Sequence, residues 1–310
     1  MNHRYLWLLF GLALVARVVT AQAAEPVRVV TSIPVLACFA MNVGGDRVAV
    51  RCLLPPSASP HDFALSPGDL KRVGEADLLV TQGLGLDEWI ERPLRRGGLG
   101  SGARHVRASD GVPVLASSEP MNAGAGHDHS HAHSDGQGEP PNPHTWLDPV
   151  RAIRAVENIR DALIAENPSG QAEYERRAAS YAERLRSLDK EIREATLGIK
   201  RRDLVTSHDA FPYFAERFGF RIAGVFELFP GREATPKEIR ALRQVISGGS
   251  IGGLVAEPGA SPRLLESMAA DLGLPVIVVD PLDMGTPAVG FYETGMRENL
   301  KSLLAGLHGR

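Results

Sequence analysis

The chain predicts an α/β fold of two similar lobes, each a four-stranded, mostly parallel sheet with flanking helices, joined by one long backbone helix. Three observations carry this expectation. Short apolar runs alternate with helical stretches, the pattern of βαβ units around a parallel sheet. The pattern occurs twice, in residues 24–168 and again in 201–310, with no residue-level repeat between the two. Between them, residues 169–200 hold a stretch rich in Glu, Arg, Ala and Leu with apolar positions at helical spacing.

The elements follow in order. Met1–Arg4 is short and basic, Tyr5–Ala16 is apolar, and Ala21-Gln22-Ala23 is a small-x-small site. This is the layout of a signal peptide, residues 1–23, and predicts export to a periplasm. The apolar run is shorter than the ~20 residues a membrane span needs, and Arg17 interrupts it. No cysteine follows it, so no acylation is expected. The remainder, about 287 of the 310 residues, exceeds one usual domain.

Val27–Ser32 reads as a strand, followed by a helix from about Val35. Arg47–Leu54 is a second strand, ended by Pro55-Pro56. Pro67–Ala76 is helical, with Leu70 and Val73 on one face, Ser66 as cap and Pro67 in the first helical position. Leu78-Leu79-Val80 is a buried strand. Val112-Pro113-Val114-Leu115 is a fourth, confined by Pro113 to a sheet edge or a strand start.

Residues 122–142 are rich in Gly, His, Asp, Ser and Pro and lack apolar periodicity, which predicts a flexible His-rich loop. Asp148-Pro149 then opens a helix, Asp as cap and Pro in its first turn. Ser169–Ile199 predicts a helix of ~30 residues, ~45 Å long, with Tyr174, Ala178, Tyr181, Leu185, Leu188 and Ile192 on one stripe. It makes a stiff connector. Leu204–Thr206, Ile222–Phe226, Ile251–Ala256 and Val276–Val279 supply the second set of strands.

Net charge is −3, from 34 basic and 37 acidic residues, which favours neither nucleic acid nor anionic lipid as a partner. Cys38 and Cys52 are the only cysteines. An oxidising compartment permits a disulfide between them, with two buried thiols as the alternative.

Histidines carry the functional signal. His61, His144 and His208 sit in similar settings: Pro60-His61-Asp62, Pro143-His144-Thr145-Trp146 and Ser207-His208-Asp209. Each lies beyond a strand's carboxyl end or in a loop after one, where open parallel sheets bind ligands. Asp280 stands likewise after Val276–Val279. Two such residues come from each half, which places a site between the lobes. Three imidazoles and one carboxylate suit zinc; manganese prefers more oxygen. Asp62, Asp209 and Glu257 are candidate carboxylates behind the imidazoles, fixing their tautomers, or plain surface charges. His127, His129, His131 and His133 form an accessory set that holds metal loosely, or a solvated insert without a role. His131-Ala132-His133-Ser134-Asp135-Gly136 lacks the closing His of the His-x-His-x-Asp-His hydrolase signature, and no His-Glu-x-x-His occurs. Four protein ligands close a zinc site, which favours binding over hydrolysis.

At these residues the chain resembles the periplasmic metal-binding proteins of zinc and manganese ABC importers, the zinc-uptake and TroA-like group (cluster A-I). The matching stretches are Leu54–Phe63, Asn142–Pro149, Thr206–Phe211, Ala256-Glu257-Pro258 and Asp280-Pro281-Leu282, in the family's order. The resemblance implies two lobes on one backbone helix. It also implies metal held between them by His61, His144, His208 and Asp280, and delivery to a membrane permease. Manganese-type members often carry Glu where this chain has His208, so Zn2+ is expected over Mn2+ or iron as the transported ion. A monomer is expected, with a periplasmic metallochaperone as a further candidate partner. A secreted zinc hydrolase and an adhesin on the same fold are the rival readings. Zinc affinity should fall as pH drops through the imidazole pKa, ~6.5 when unperturbed.

Overall fold

The structure, a computed structural model, describes residues 25–97, 102–118, 139–226, 235–259 and 262–308. The signal-peptide stretch and His127, His129, His131 and His133 lie outside these residues. Among them, no helix is long and apolar enough to cross a membrane.

Two four-stranded sheets, all of whose pairings are parallel, form the two lobes. The first contains β1 (Val27–Thr31), β2 (Val48–Cys52), β3 (Leu78–Thr81) and β4 (Arg104–Arg107), in the order β2-β1-β3-β4. The second contains β5 (Asp203–Thr206), β6 (Arg221–Val225), β7 (Ile251–Ala256) and β8 (Val276–Val278), in the order β6-β5-β7-β8. The two orders are the same second-first-third-fourth arrangement. In each, the strand order reverses between the first and third strands, which opens a crevice at their carboxyl ends.

The fourth strand of the first sheet corrects the expectation. It is Arg104–Arg107, not Val112–Leu115. As an edge strand it carries Arg, His, Val and Arg, a charged composition that suits an exposed edge. Val112–Leu115 is instead a loop: Val112 N–H closes a turn on Ser109 O, and Leu115 N–H bonds the Tyr213 hydroxyl.

Helices α1 (Pro34–Gly44), α2 (Pro67–Gly74) and α3 (Glu88–Arg95) flank the first sheet. Ser66 caps α2 in a reciprocal capping box with Asp69. Two long helices follow, α4 (Pro149–Glu166) and α5 (Gln171–Thr196), joined by the short turn Pro168–Gly170 and packed side by side. Asp148 caps α4 by accepting the N–H groups of Val150 and Arg151. The connector α5 is thus 26 residues, shorter than the ~30 expected because that turn begins the segment. Its buried stripe is the predicted one, Tyr174 to Ile192. The second lobe adds α6 (Pro212–Phe218), α7 (Pro236–Gly248), α8 (Pro262–Leu272) and α9 (Phe291–Leu307).

One buried apolar cluster runs from Val29 and Leu78 of the first sheet through α1, α4 and α5 to Leu204, Val255 and Ile277 of the second. Phe39 of α1 packs its ring 5.9 Å from Tyr181 of α5 and 5.3 Å from Tyr292 of α9. Polar links cross the lobes beside this core. Trp146 Nε1 donates to Pro281 O (2.7 Å), Tyr292 OH to Trp146 O (2.6 Å), and Gly285 N–H to Pro56 O (2.9 Å). Arg217 of α6 pairs with Asp189 of α5 at 2.6 Å.

The expected disulfide is absent. Cys38 and Cys52 are both free, and each thiol faces its own set of partners. Cys38 Sγ meets the Tyr181 hydroxyl (3.7 Å) and Val289 O (3.3 Å). Cys52 Sγ donates to Ser32 O (3.7 Å) and Leu54 O (3.6 Å) at the end of β2. Burial pushes both thiols up to about 11, so neither is a ready thiolate.

Candidate metal centre

The carboxyl ends of the two sheets face one another, and three imidazoles meet there. His61 stands in the turn-rich loop after β2. Its backbone N–H bonds Ser59 Oγ (3.2 Å), and Trp89 Nε1 anchors the loop on Pro60 O (3.0 Å). His144 precedes the short helical turn Thr145–Leu147, which Gln82, just past β3, holds through Pro143 O (2.8 Å) and Thr145 Oγ1 (2.9 Å). His208 follows β5.

The ring centroids lie 5.4 Å apart for His61–His144, 4.9 Å for His61–His208 and 5.0 Å for His144–His208. One ring nitrogen of each lies within 4.8 Å of the others, so the group can hold a metal ion. His61 is exposed, His208 half-buried and His144 buried. Solvent therefore reaches the triad from the His61 side.

Hydrogen bonding fixes two tautomers. His208 Nδ1 faces the Glu257 carboxylate at 2.6 Å. The acceptor requires Nδ1 to carry a proton, which leaves the lone pair on Nε2. Strand register explains the contact: Thr206 pairs with Val255, so two residues on, His208 stands beside Glu257. His144 Nδ1 faces Asn142 Oδ1 at 3.0 Å, again an acceptor. Its Nε2 is buried and has no hydrogen-bond partner among the described residues. Such an orphan is costly unless something occupies it, and a metal ion fits that lone pair.

Electrostatics keeps two of the imidazoles, His144 and His61, neutral. Burial, then the neighbouring His208 and His61, holds His144 well below its ordinary pKa. Desolvation in the cleft, then His208, lowers His61 as well. Its exposed edge tempers that shift. Neutral imidazole is the metal-binding form.

A family profile described as "Zinc-uptake complex component A periplasmic" matches residues 29–306. The chain belongs to this family. A manganese ABC transporter substrate-binding lipoprotein, PsaA of Streptococcus pneumoniae, is 26% identical across 97% of this chain and 96% of its own length. The zinc-binding lipoprotein AdcA of Streptococcus pneumoniae is 29% identical over 95% of this chain, which spans 58% of AdcA. The crystal structure of the Zn(II)-bound ZnuA-like domain of Streptococcus pneumoniae AdcA superposes with a TM-score of 0.74. It is 26% identical and covers 91% of this chain and 99% of that one. The zinc-uptake family comprises substrate-binding components of metal ABC transporters, which work with a membrane permease and an ATPase and are not enzymes.

The remaining site candidates lie outside the group of three imidazoles. Asp280 is half-buried; its Oδ1 accepts Leu282 N–H (2.7 Å), and its backbone is clasped by Asn299. Leu282 adopts a left-handed φ of 62° to close this turn. Among the described residues, the group whose ligand atoms lie mutually within 4.8 Å contains the three histidines and not Asp280. Asp62 is exposed on the His61 loop. Asp209 turns its carboxylate to Asn142 and Ser118.

Besides Gln82, two residues escaped the sequence reading. Asp283 is buried with Oδ1 unpartnered among the described residues, and burial, then the nearby Glu257, raises it to about 7. Asn142 is 1% exposed and touches both ligand-bearing segments. Its Asn-Pro-His setting was visible in the chain, but its cross-lobe partner was not.

Proposed function

We propose that this protein is the periplasmic zinc-capturing component of an ABC import system, with His61, His144 and His208 as nitrogen ligands and Asp280 as the fourth donor. The observation that carries the reading is the convergence of three imidazoles on one point, with the buried Nε2 of His144 lacking any other partner among the described residues. Three nitrogens with one carboxylate suit zinc, and zinc-binding AdcA is among the relatives. The loaded protein, a monomer, delivers the ion to its membrane permease, with a periplasmic metallochaperone as a further partner. In this reading residues 1–23 are removed on export, 24–168 and 201–310 are the two lobes, and 169–200 connects them. His127, His129, His131 and His133 gather metal without forming the tight site.

Chelator competition with zinc and manganese tests it. The wild type should bind one zinc tightly, and His144→Ala should lose more than the ~10–100-fold typical of an outer partner. Deleting residues 126–137 should leave that site intact. Undiminished zinc affinity in His61→Ala, His144→Ala and His208→Ala would sink the proposal. A second reading has one favouring observation: Asp283 lies within electrostatic reach of Glu257, His208 and Asp280, which gathers carboxylates near His208. Such oxygen donors suit manganese or iron, and tighter manganese than zinc binding would establish that reading.

A further inference from the structure

One amide joins the segment before His144 to the segment after His208. Asn142 uses every polar group it has. Its Oδ1 faces both the backbone N–H of His144 and the ring Nδ1 of His144, each at 3.0 Å. Its Nδ2 donates to Asp209 O (2.6 Å) and Asp209 Oδ2 (3.0 Å). Its own N–H bonds Leu115 O (2.8 Å), and its carbonyl accepts the Tyr213 hydroxyl (2.7 Å). Asp209 Oδ2 also accepts Ser118 N–H (2.7 Å).

The orientation of this amide is fixed by its neighbours. Reversed, it would set Nδ2 against the His144 N–H and Oδ1 against a carboxylate. The acceptor therefore faces His144, and the imidazole proton must lie on Nδ1. No other side chain of this size accepts on one side and donates on the other without charge. A carboxylate in its place would repel Asp209, and an apolar group would leave His144 free to turn.

We propose that Asn142 is a positioning residue for metal capture, fixing the His144 tautomer and registering that imidazole against the second lobe through Asp209. This rests on the metal-binding reading above. In a free histidine side chain the Nε2–H form predominates, which would point a proton at the ion. Asn142 selects the opposite form before any metal arrives, so capture requires neither a proton shift nor a ring flip.

Nitrogen-15 NMR of the histidine rings in the metal-free full chain, together with zinc dissociation constants, tests this. The wild type should show His144 protonated at Nδ1. Asn142→Ala should move His144 towards the Nε2–H form and weaken zinc binding roughly 10–100-fold. Asp209→Ala should shift both readouts in the same direction by less, and Asp209→Asn, which keeps an acceptor oxygen, should recover most of that loss. A merely structural role would lower the melting temperature without moving the tautomer. The proposal is overturned if Asn142→Ala keeps the Nδ1–H form or binds zinc as tightly as the wild type. Should Asn142→Ala not fold, unchanged tautomer and affinity in Asp209→Ala overturn it instead. A wild type that binds no zinc would sink the metal reading, while the metal-free tautomer still decides the role of Asn142.

Discussion

His144 enters the cleft prepared to ligate: neutral, with its lone pair on a buried nitrogen. Preparation has a pH consequence. The folded pKa lies below the unfolded ~6.5, so below that pH the unfolded chain takes up a proton that the folded chain refuses. The His144 contribution to stability is therefore full above ~6.5 and declines as pH falls. At pH 5.5 the cost approaches about 1.4 kcal/mol per such imidazole. Denaturant unfolding of the metal-free protein and of His144→Gln at pH 7.5 and 5.5 should show the wild type losing more. Parallel losses would refute the shift. Glu257→Gln, which exchanges a charged acceptor for a neutral one behind His208, should weaken zinc binding about tenfold; an unaltered dissociation constant would remove Glu257 from the site. The three histidines were legible because each follows a strand or a Pro-bearing turn. Gln82, Asn142 and Asp283 were not, since their roles depend on partners 60 or more residues away or on burial that no local pattern encodes.

Elements were legible where burial imposes periodicity. The stripe of α5 repeats every three or four residues because only one face meets α4 and α9. The same pattern failed at β4, whose edge position lets Arg104, His105 and Arg107 replace the apolar signature of a strand. Leu185, fully buried on α5, gives a direct check: Leu185→Ala should cost 2–5 kcal/mol, roughly, in denaturant unfolding. Ser66→Ala, which breaks the α2 capping box, should cost only about 1 kcal/mol. Equal losses from the two would contradict the view that α5 carries the shared core.

Across the whole molecule, one buried cluster is shared by the two sheets, and a smaller cluster lies on each sheet separately. Residues 24–168 produced alone would expose the faces of α1 and α4 that α5 and α9 cover, and should fail to give a cooperative melt in circular dichroism. A sharp transition would show that the first lobe is self-sufficient. Lobe count and connector were visible in the chain, but the continuity of this core was not, because it arises from tertiary packing of α1 and α9 on α5. The two described tryptophans add an optical consequence. Trp89 is tied by its indole to Pro60, beside His61, and Trp146 to Pro281, beside Asp280, with its centroid 5.2 Å from that of His144. Both fluorophores belong to the first lobe, one beside His61 and one spanning the cleft from His144 to Pro281, so ion arrival is readable in unlabelled protein. Replacing Trp89 or Trp146 by Phe would tell whether the His61 loop or the His144 segment responds first.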